Sequence, residues 1–409
     1  MDGAPAELRH DVVPREGVRV ARTEVLGHPF PEIRQPHASS IPPRRVHPPR
    51  SASGGAPRRP TVSRMPGDEA PPQTPPAPLA PLAPPAPPAP PAPPASPSPP
   101  APLARAEQFI WLTARVLEQR RFAFHFLDGD ADAVDTALGS YLNEDGGYGH
   151  ALDPDLRGPL SQPLHTAHAL RVLDALGRCT GQRIERLCRH LTRVSTPDGA
   201  LPVLFPAPRG YPSAPYHPVH DDPPGELLTT GPVVGLLHRN RVWHAWLFRA
   251  TDFCWERVET LRHSHPYEVQ SAVAFLDGAP DRSRAAAAAD RLGRLVRERQ
   301  LVLLDPAQRD SAAPHPGYAP GEHLFPHDFA RRPQSLARSW FTDEELERSL
   351  DCLSAQQEPD GGWPVQRRAW APGSFLERRP IATVEALLTL RAYGRLPGQI
   401  SPPGPARPR

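Results

Sequence analysis

From Ala106 onward, apolar side chains recur every three to four positions, the spacing of a helix with one buried face. In FIWLTARVLEQRRFAFHFL the positions are Phe109, Leu112, Val116, Leu117 and Phe124. In SQPLHTAHALRVLDALGRC they are Leu164, Ala167, Leu170, Leu173 and Leu176, with Pro163 suited to a first turn and Gly177 to a stop. The segments RIERLCRHLTRV, YEVQSAVAFL, RAAAAADRLGRLVRERQ, TDEELERSLDCLSAQQ and IATVEALLTLRAYG carry the same period. Asp343, with Leu346 and Leu350 behind it, suits a helix start. Few stretches alternate residue by residue, as half-buried strands do. The pattern predicts an all-α domain over residues 106–400.

Residues 1–105 read differently. The tract PPAPLAPLAPPAPPAPPAPPASPSPPAP has too little apolar surface to offset the entropy of ordering, and a polyproline II spacer is expected there. A disordered Pro/Ala/Arg-rich segment over 1–105 and a disordered tail over 401–409 follow. The proline-rich segment is either a spacer or a docking motif for a proline-binding protein partner.

Composition narrows the partners. The formal charge is +2, with every basic residue an arginine and the arginines scattered, so no basic patch for nucleic acid is expected. The four cysteines have no framework spacing, and the first residues lack the apolar core of a signal peptide, which points to a cytoplasmic setting. No run approaches the ~18 apolar residues of a transmembrane segment.

An internal repeat underlies the helical pattern. YLNEDGGYGHALDPDLRGPLSQPLHTAHALRVLDALG and LSAQQEPDGGWPVQRRAWAPGSFLERRPIATVEALLTLRAYG both run from helix to Asp-Gly-Gly-aromatic, polar loop, proline and helix. A weaker copy is LTRVSTPDGALPV. The aspartates, Asp145, Asp198 and Asp360, are 53 and 162 residues apart, and 162 is three times 54. A unit of that size suits an array of five or six helical hairpins. Asp-Gly-Gly itself is turn chemistry: glycine accepts positive φ, and the aspartate can hydrogen-bond the backbone two residues on.

Gln357, Gly361 and Trp363 in QQEPDGGW follow the order Gln-x-x-x-Gly-x-Trp. This resembles the Gln–Trp repeat of squalene cyclases, prenyltransferases and related terpenoid enzymes. The resemblance covers about residues 106–400 and implies an α/α toroid, an outer ring of helices around an inner one. It also implies an enzyme that binds or converts an apolar, isoprenoid-type substrate by acid catalysis.

The candidate chemistry lies in GHALDPDLRGPLSQPLHTAH, whose polar cluster has no counterpart in the matching loop of the Trp363 repeat, PVQRRAWAPGSFLERRP. Class II terpene cyclases use an Asp-x-Asp-Asp acid. Here DPDL supplies Asp153 and Asp155, with Leu156 at the place of the last acid. A protonated carboxyl at neutral pH needs burial and a neighbouring carboxylate. In this reading Asp153 or Asp155 is the acid and His150 and His165 tune it. Arg157, Gln162 and His168 hold substrate. The alternative for the loop is an aspartate–Arg157 ion pair.

The resemblance also raises zinc, which protein prenyltransferases hold through Asp-x-Cys and a distant histidine. The matching residues are Asp252, Cys254 and His315, but the spacing is not that of a built zinc site, and no cofactor is expected. A carbohydrate-active toroid enzyme would draw on Asp153, Asp155, Asp221, Asp222 and Glu226 as paired carboxylates. Trp243, Trp246 and Trp255 lie on one broad helical stripe and read as core. A non-catalytic binding toroid remains the alternative to any enzyme.

Overall fold

The computed structural model describes residues 101–206, 211–217, 219–316, 318, 321–368 and 370–396. The proline-rich tract and the 401–409 tail lie outside the described residues. Twelve α-helices and no strand occur among those described. They form six consecutive pairs: α1 (Pro102–Thr113) with α2 (Val116–Phe126), α3 (Ala131–Gly139) with α4 (Pro163–Ala175), and α5 (Gly181–Val194) with α6 (Leu227–Arg239). Then come α7 (Ala245–Thr260) with α8 (Pro266–Gly278), α9 (Arg282–Glu298) with the one-turn α10 (Pro326–Phe329), and α11 (Asp343–Ala355) with α12 (Pro372–Ala392).

The even-numbered helices make the inner ring. α4 packs on α6, α6 on α8 and α8 on α10, and α12 returns to α1 and α2 to close the circle. α4 and α6 are buried on nearly every side, whereas α5 and α9 bury one stripe and show water a charged face. α4, α8, α10 and α12 all begin with proline, whose fixed φ suits a first turn and whose missing N–H costs nothing there.

The Asp-Gly corners are the joints of the ring. Asp145 Oδ1 accepts the Gly147 N–H at 2.9 Å and Asp360 Oδ1 the Gly362 N–H at 3.0 Å, with a longer 3.4 Å bond from Ala200 N–H to Asp198. The residue after each aspartate, Gly146, Gly199 or Gly361, has φ between 85° and 93°. Each of these glycines abuts the next outer helix. A Cβ would come 2.6 Å from the Arg186 carbonyl of α5, 2.7 Å from the Ala250 nitrogen of α7 and 2.2 Å from the Arg105 carbonyl of α1. The last corner therefore rests on the first helix. Gln357 completes that joint: its amide accepts from Arg105 at 2.6 Å and donates to the carbonyls of Pro102 and Gly361. The Trp363 indole N–H donates to Leu353 at 2.7 Å.

One element of the repeat was not visible in the sequence. The backbone N–H of Tyr148, Leu201 and Trp363 donates in turn to the hydroxyl of Thr166, Thr230 and Thr383, each on the following inner helix.

Several expectations shift. The segment containing Phe109 to Phe124 is two helices, broken at Ala114–Arg115, which leaves Leu112 and Val116 exposed. Helix α1 begins at Pro102, ahead of the expected boundary at Ala106. Thr342, not Asp343, caps α11, in a reciprocal pair with Glu345. Trp246 and Trp255 are core but Trp243 is exposed. No helix among the described residues is long and apolar enough to cross a membrane.

Gly361→Ala forces a Cβ onto the Arg105 carbonyl and strains a positive φ. A loss of roughly 1–3 kcal/mol in urea denaturation is expected. Gly139→Ala, where a Cβ meets nothing within 4 Å, should be neutral or stabilising. Equal effects at the two positions would show that the corner contact is unimportant.

Candidate functional site

The loop between the Asp145 corner and α4 is folded back on itself at the N-terminal end of the inner ring. Ala151 N–H donates to the Gly158 carbonyl at 3.1 Å, and His150 and Ala151 both take left-handed φ, 55° and 56°. Two consecutive non-glycine residues in that region are strained and need outside support. Arg115, at the start of α2, supplies it by donating to the carbonyls of Ala151 and Leu152 at 3.0 Å each. The same guanidinium grips the buried Glu118 through two bonds of 3.0 and 3.1 Å. On the other side, Arg157 N–H and Ala214 N–H pair with Pro212 and Asp155 carbonyls and bring the segment around Tyr216 and His217 onto the loop.

At its centre, Asp153 and Asp155 are buried, and Arg378 of α12 reaches one oxygen of each at 2.7 Å. His168 Nδ1 lies 3.6 Å from the other Asp153 oxygen. The Asp153 N–H donates to His165 Nδ1 at 3.0 Å, so the imidazole proton sits on Nε2. Burial opposes ionisation of Asp153, but Arg378 and His168 outweigh it and hold the carboxyl well below the usual carboxylate range. Burial lowers His165 to about 4, against the pull of Asp153, so it is neutral near pH 7. Burial likewise lowers His168, against Asp153. Asp153 is therefore held as an anion, the opposite of what a proton donor needs.

The expected site residues divide into two groups. Asp153, Asp155, His165 and His168 come together. His150 is exposed and turns away to Asn143, 2.9 Å from its Nε2. Arg157 pairs with Glu377 at 2.8 Å, not with either aspartate. Gln162 is buried, and its amide is spent on the Phe205 backbone, accepting at 2.8 Å and donating at 3.3 Å. Sequence reasoning missed Arg378, Glu377, Arg115, Glu118 and Tyr216. A signal for the first two was present: the loop equivalent to DPDL in the last repeat, ending FLERRP, is rich in arginine, the complement of an acidic pair.

Zinc finds no assembled site. Asp252 is exposed on α7, Cys254 is buried with its thiol pushed well above its ordinary pKa by burial, and His315 packs against His265 and Tyr318. No three metal-ligating side chains converge among the described residues. Of the carbohydrate-type carboxylates, Asp221 and Asp222 are exposed. Glu226, at the start of α6, is raised first by burial and then by Glu268.

Arg378→Met leaves two buried carboxylates without their cation, and a loss of roughly 3–5 kcal/mol at pH 7 is expected. Because the folded Asp153 pKa is depressed, its contribution in the wild type is present above the unfolded value of about 3.9 and fades as pH falls below it. The melting temperature of the wild type should drop over that acid range, and that of Arg378→Met should drop less. Parallel curves would remove Arg378 as the source of the effect.

No family model matches the chain, and no curated protein sequence matches it. Among solved structures, a protein from Actinoplanes is similar at 15% identity and a TM-score of 0.48, covering 72% of this chain and 98% of that one. The apo type II terpene cyclase MstE from Scytonema is similar at 14% identity and a TM-score of 0.41, covering 71% and 87%. A variant of MstE gives 13% and 0.40, covering 71% and 86%. These likenesses concern the arrangement of helices; no residue role or substrate is carried over from them.

Proposed function

We propose that the chain is a small-molecule-binding toroid for an apolar, isoprenoid-type ligand, and that Asp153 and Asp155 organise its mouth instead of donating a proton. The observation that carries this is a cleft of about 440 Å³ lined by Trp370, Ala371, Pro372 and Phe375 at the start of α12. Its lining is apolar and opens broadly to solvent, and Phe375 is one turn from Arg378. The ion-paired state of Asp153 supports binding over acid catalysis.

A second reading keeps acid chemistry but moves it. Glu226 is the carboxyl at this end of the ring whose setting favours the protonated form, through burial and Glu268.

Calorimetric titration of the full chain with geranylgeraniol should give saturable binding. Phe375→Asp should weaken it at least tenfold, and Leu376→Asp, at an exposed neighbour, should not. Absence of saturable binding would sink the apolar-ligand reading. If a polyprenyl substrate is turned over by alkene protonation, Glu226→Gln should abolish the reaction; loss with Asp153→Asn alone would reverse the assignment.

A further inference from the structure

Two turns below the Asp153–Arg378 level, the axis of the ring changes character. Glu385 follows Arg378 by seven residues on α12, about 10 Å along a helix. Arg171 follows His168 by one turn on α4. Arg121 lies on the buried face of α2, between the apolar clusters that Leu117 and Phe122 join. Arg331, just after α10, donates to Glu385 at 3.2 Å.

Glu385 is ion-paired with Arg331, with 36% and 50% of the two side chains exposed, and Arg171 and Arg121 act on it through charge alone. Arg121 is only 8% exposed, and its Nε and Nη1 have no hydrogen-bond partner among the described residues. Arg171 reaches no carboxylate within ion-pair distance among the described residues, although it is accessible to water. Arg171 is an exposed position on an inner-ring helix whose other faces are buried, and the surrounding protein lowers its pKa by desolvation. Glu385 feels all three cations: burial opposes ionisation, but Arg331, Arg171 and Arg121 bring it down to about 2. His168, whose own pKa burial lowers, adds no charge to the group.

A buried guanidinium with orphan donors is costly unless something occupies them. We propose that Arg121, Arg171 and Arg331 form a binding site for a phosphate-type oxyanion, free or as the head of a larger molecule, on the axis of the toroid. After Glu385 the three arginines leave two positive charges, which a phosphate or diphosphate dianion balances. Guanidinium forks present paired N–H groups at the spacing of phosphate oxygens and stay charged at any working pH. The site does not depend on the apolar cleft, and inorganic anions test it by themselves.

The test uses the full chain and compares inorganic phosphate and diphosphate with sodium chloride at equal ionic strength, by melting temperature and calorimetry. Saturable stabilisation by diphosphate beyond the chloride control is expected. Arg171→Gln should weaken diphosphate at least tenfold while leaving the anion-free melting temperature unchanged. Arg121→Met should also abolish binding, yet raise the anion-free melting temperature, because it removes an unpaired buried charge. Geranylgeranyl diphosphate separates the sources. Binding tighter than either diphosphate or geranylgeraniol, with the gain lost in Arg171→Gln, identifies a headgroup; equal binding of diphosphate with and without the tail identifies a free anion. No stabilisation over chloride overturns the proposal, as does an Arg121→Met protein that is destabilised but binds diphosphate normally. Failure of geranylgeraniol alone leaves this site standing and removes only the apolar reading.

Discussion

The arrangement at the mouth depends on one guanidinium holding two buried carboxylates. Arg378 sits on the last described helix and reaches back 225 residues to Asp153. Through that bridge the strained loop from His150 to Arg157 is tied to α12. Arg115 and Glu377 extend the network at its edges, binding the loop to α2 and Arg157 to α12. A loop with left-handed residues and buried acids would not hold this shape alone; charge from two distant helices over-determines it.

The same economy appears in the scaffold. Each corner uses an aspartate to close a turn, a glycine to approach the neighbouring outer helix and a backbone N–H to meet a threonine on the next inner helix. Because the Gly361 corner rests on α1, the described pairs form a circle with no exposed terminal repeat among them. Linear arrays need capping units with a polar outer face. Here the first and last pairs cap each other, and the inner helices can be buried on all sides while polar side chains gather along the axis.

Much of the scaffold was legible from local signals. The Asp-Gly corners, the proline start of α4 and the interval of about 54 residues all rest on chemistry within a few positions, whereas α12 begins at Pro372, before the expected start, and carries Pro380 in its interior. Helix α6 was missed because Pro232 and two glycines interrupt a segment buried nearly all round, which has little amphipathic signature. The threonine contacts were hidden by unequal separations of 18, 29 and 20 residues. At the site, the acids and the two buried histidines were readable as a cluster, but their cation was signalled only by the arginine-rich FLERRP segment and not singled out. Ion pairing over such a separation leaves no periodic trace, and the nearer Arg157 was the natural but wrong partner. Arg121 was invisible for a related reason: a charged residue on a buried stripe reads as an exception until the axis of a ring is known to pass there.

The order in which the chain is made gives the Arg378 bridge a temporal meaning. The two aspartates leave the ribosome long before their cation does. At ~5–20 residues per second, the 225-residue interval amounts to roughly 11–45 s of translation. Throughout that interval the acidic loop must stay hydrated, since desiccating it without Arg378 is unfavourable. The N-terminal pairs can form their helices during elongation, but the mouth stays open and wet until α12 arrives. Closure of the ring is thereby timed to the last helix pair, and a nascent chain stalled before it would present an unclosed arc with bare inner faces.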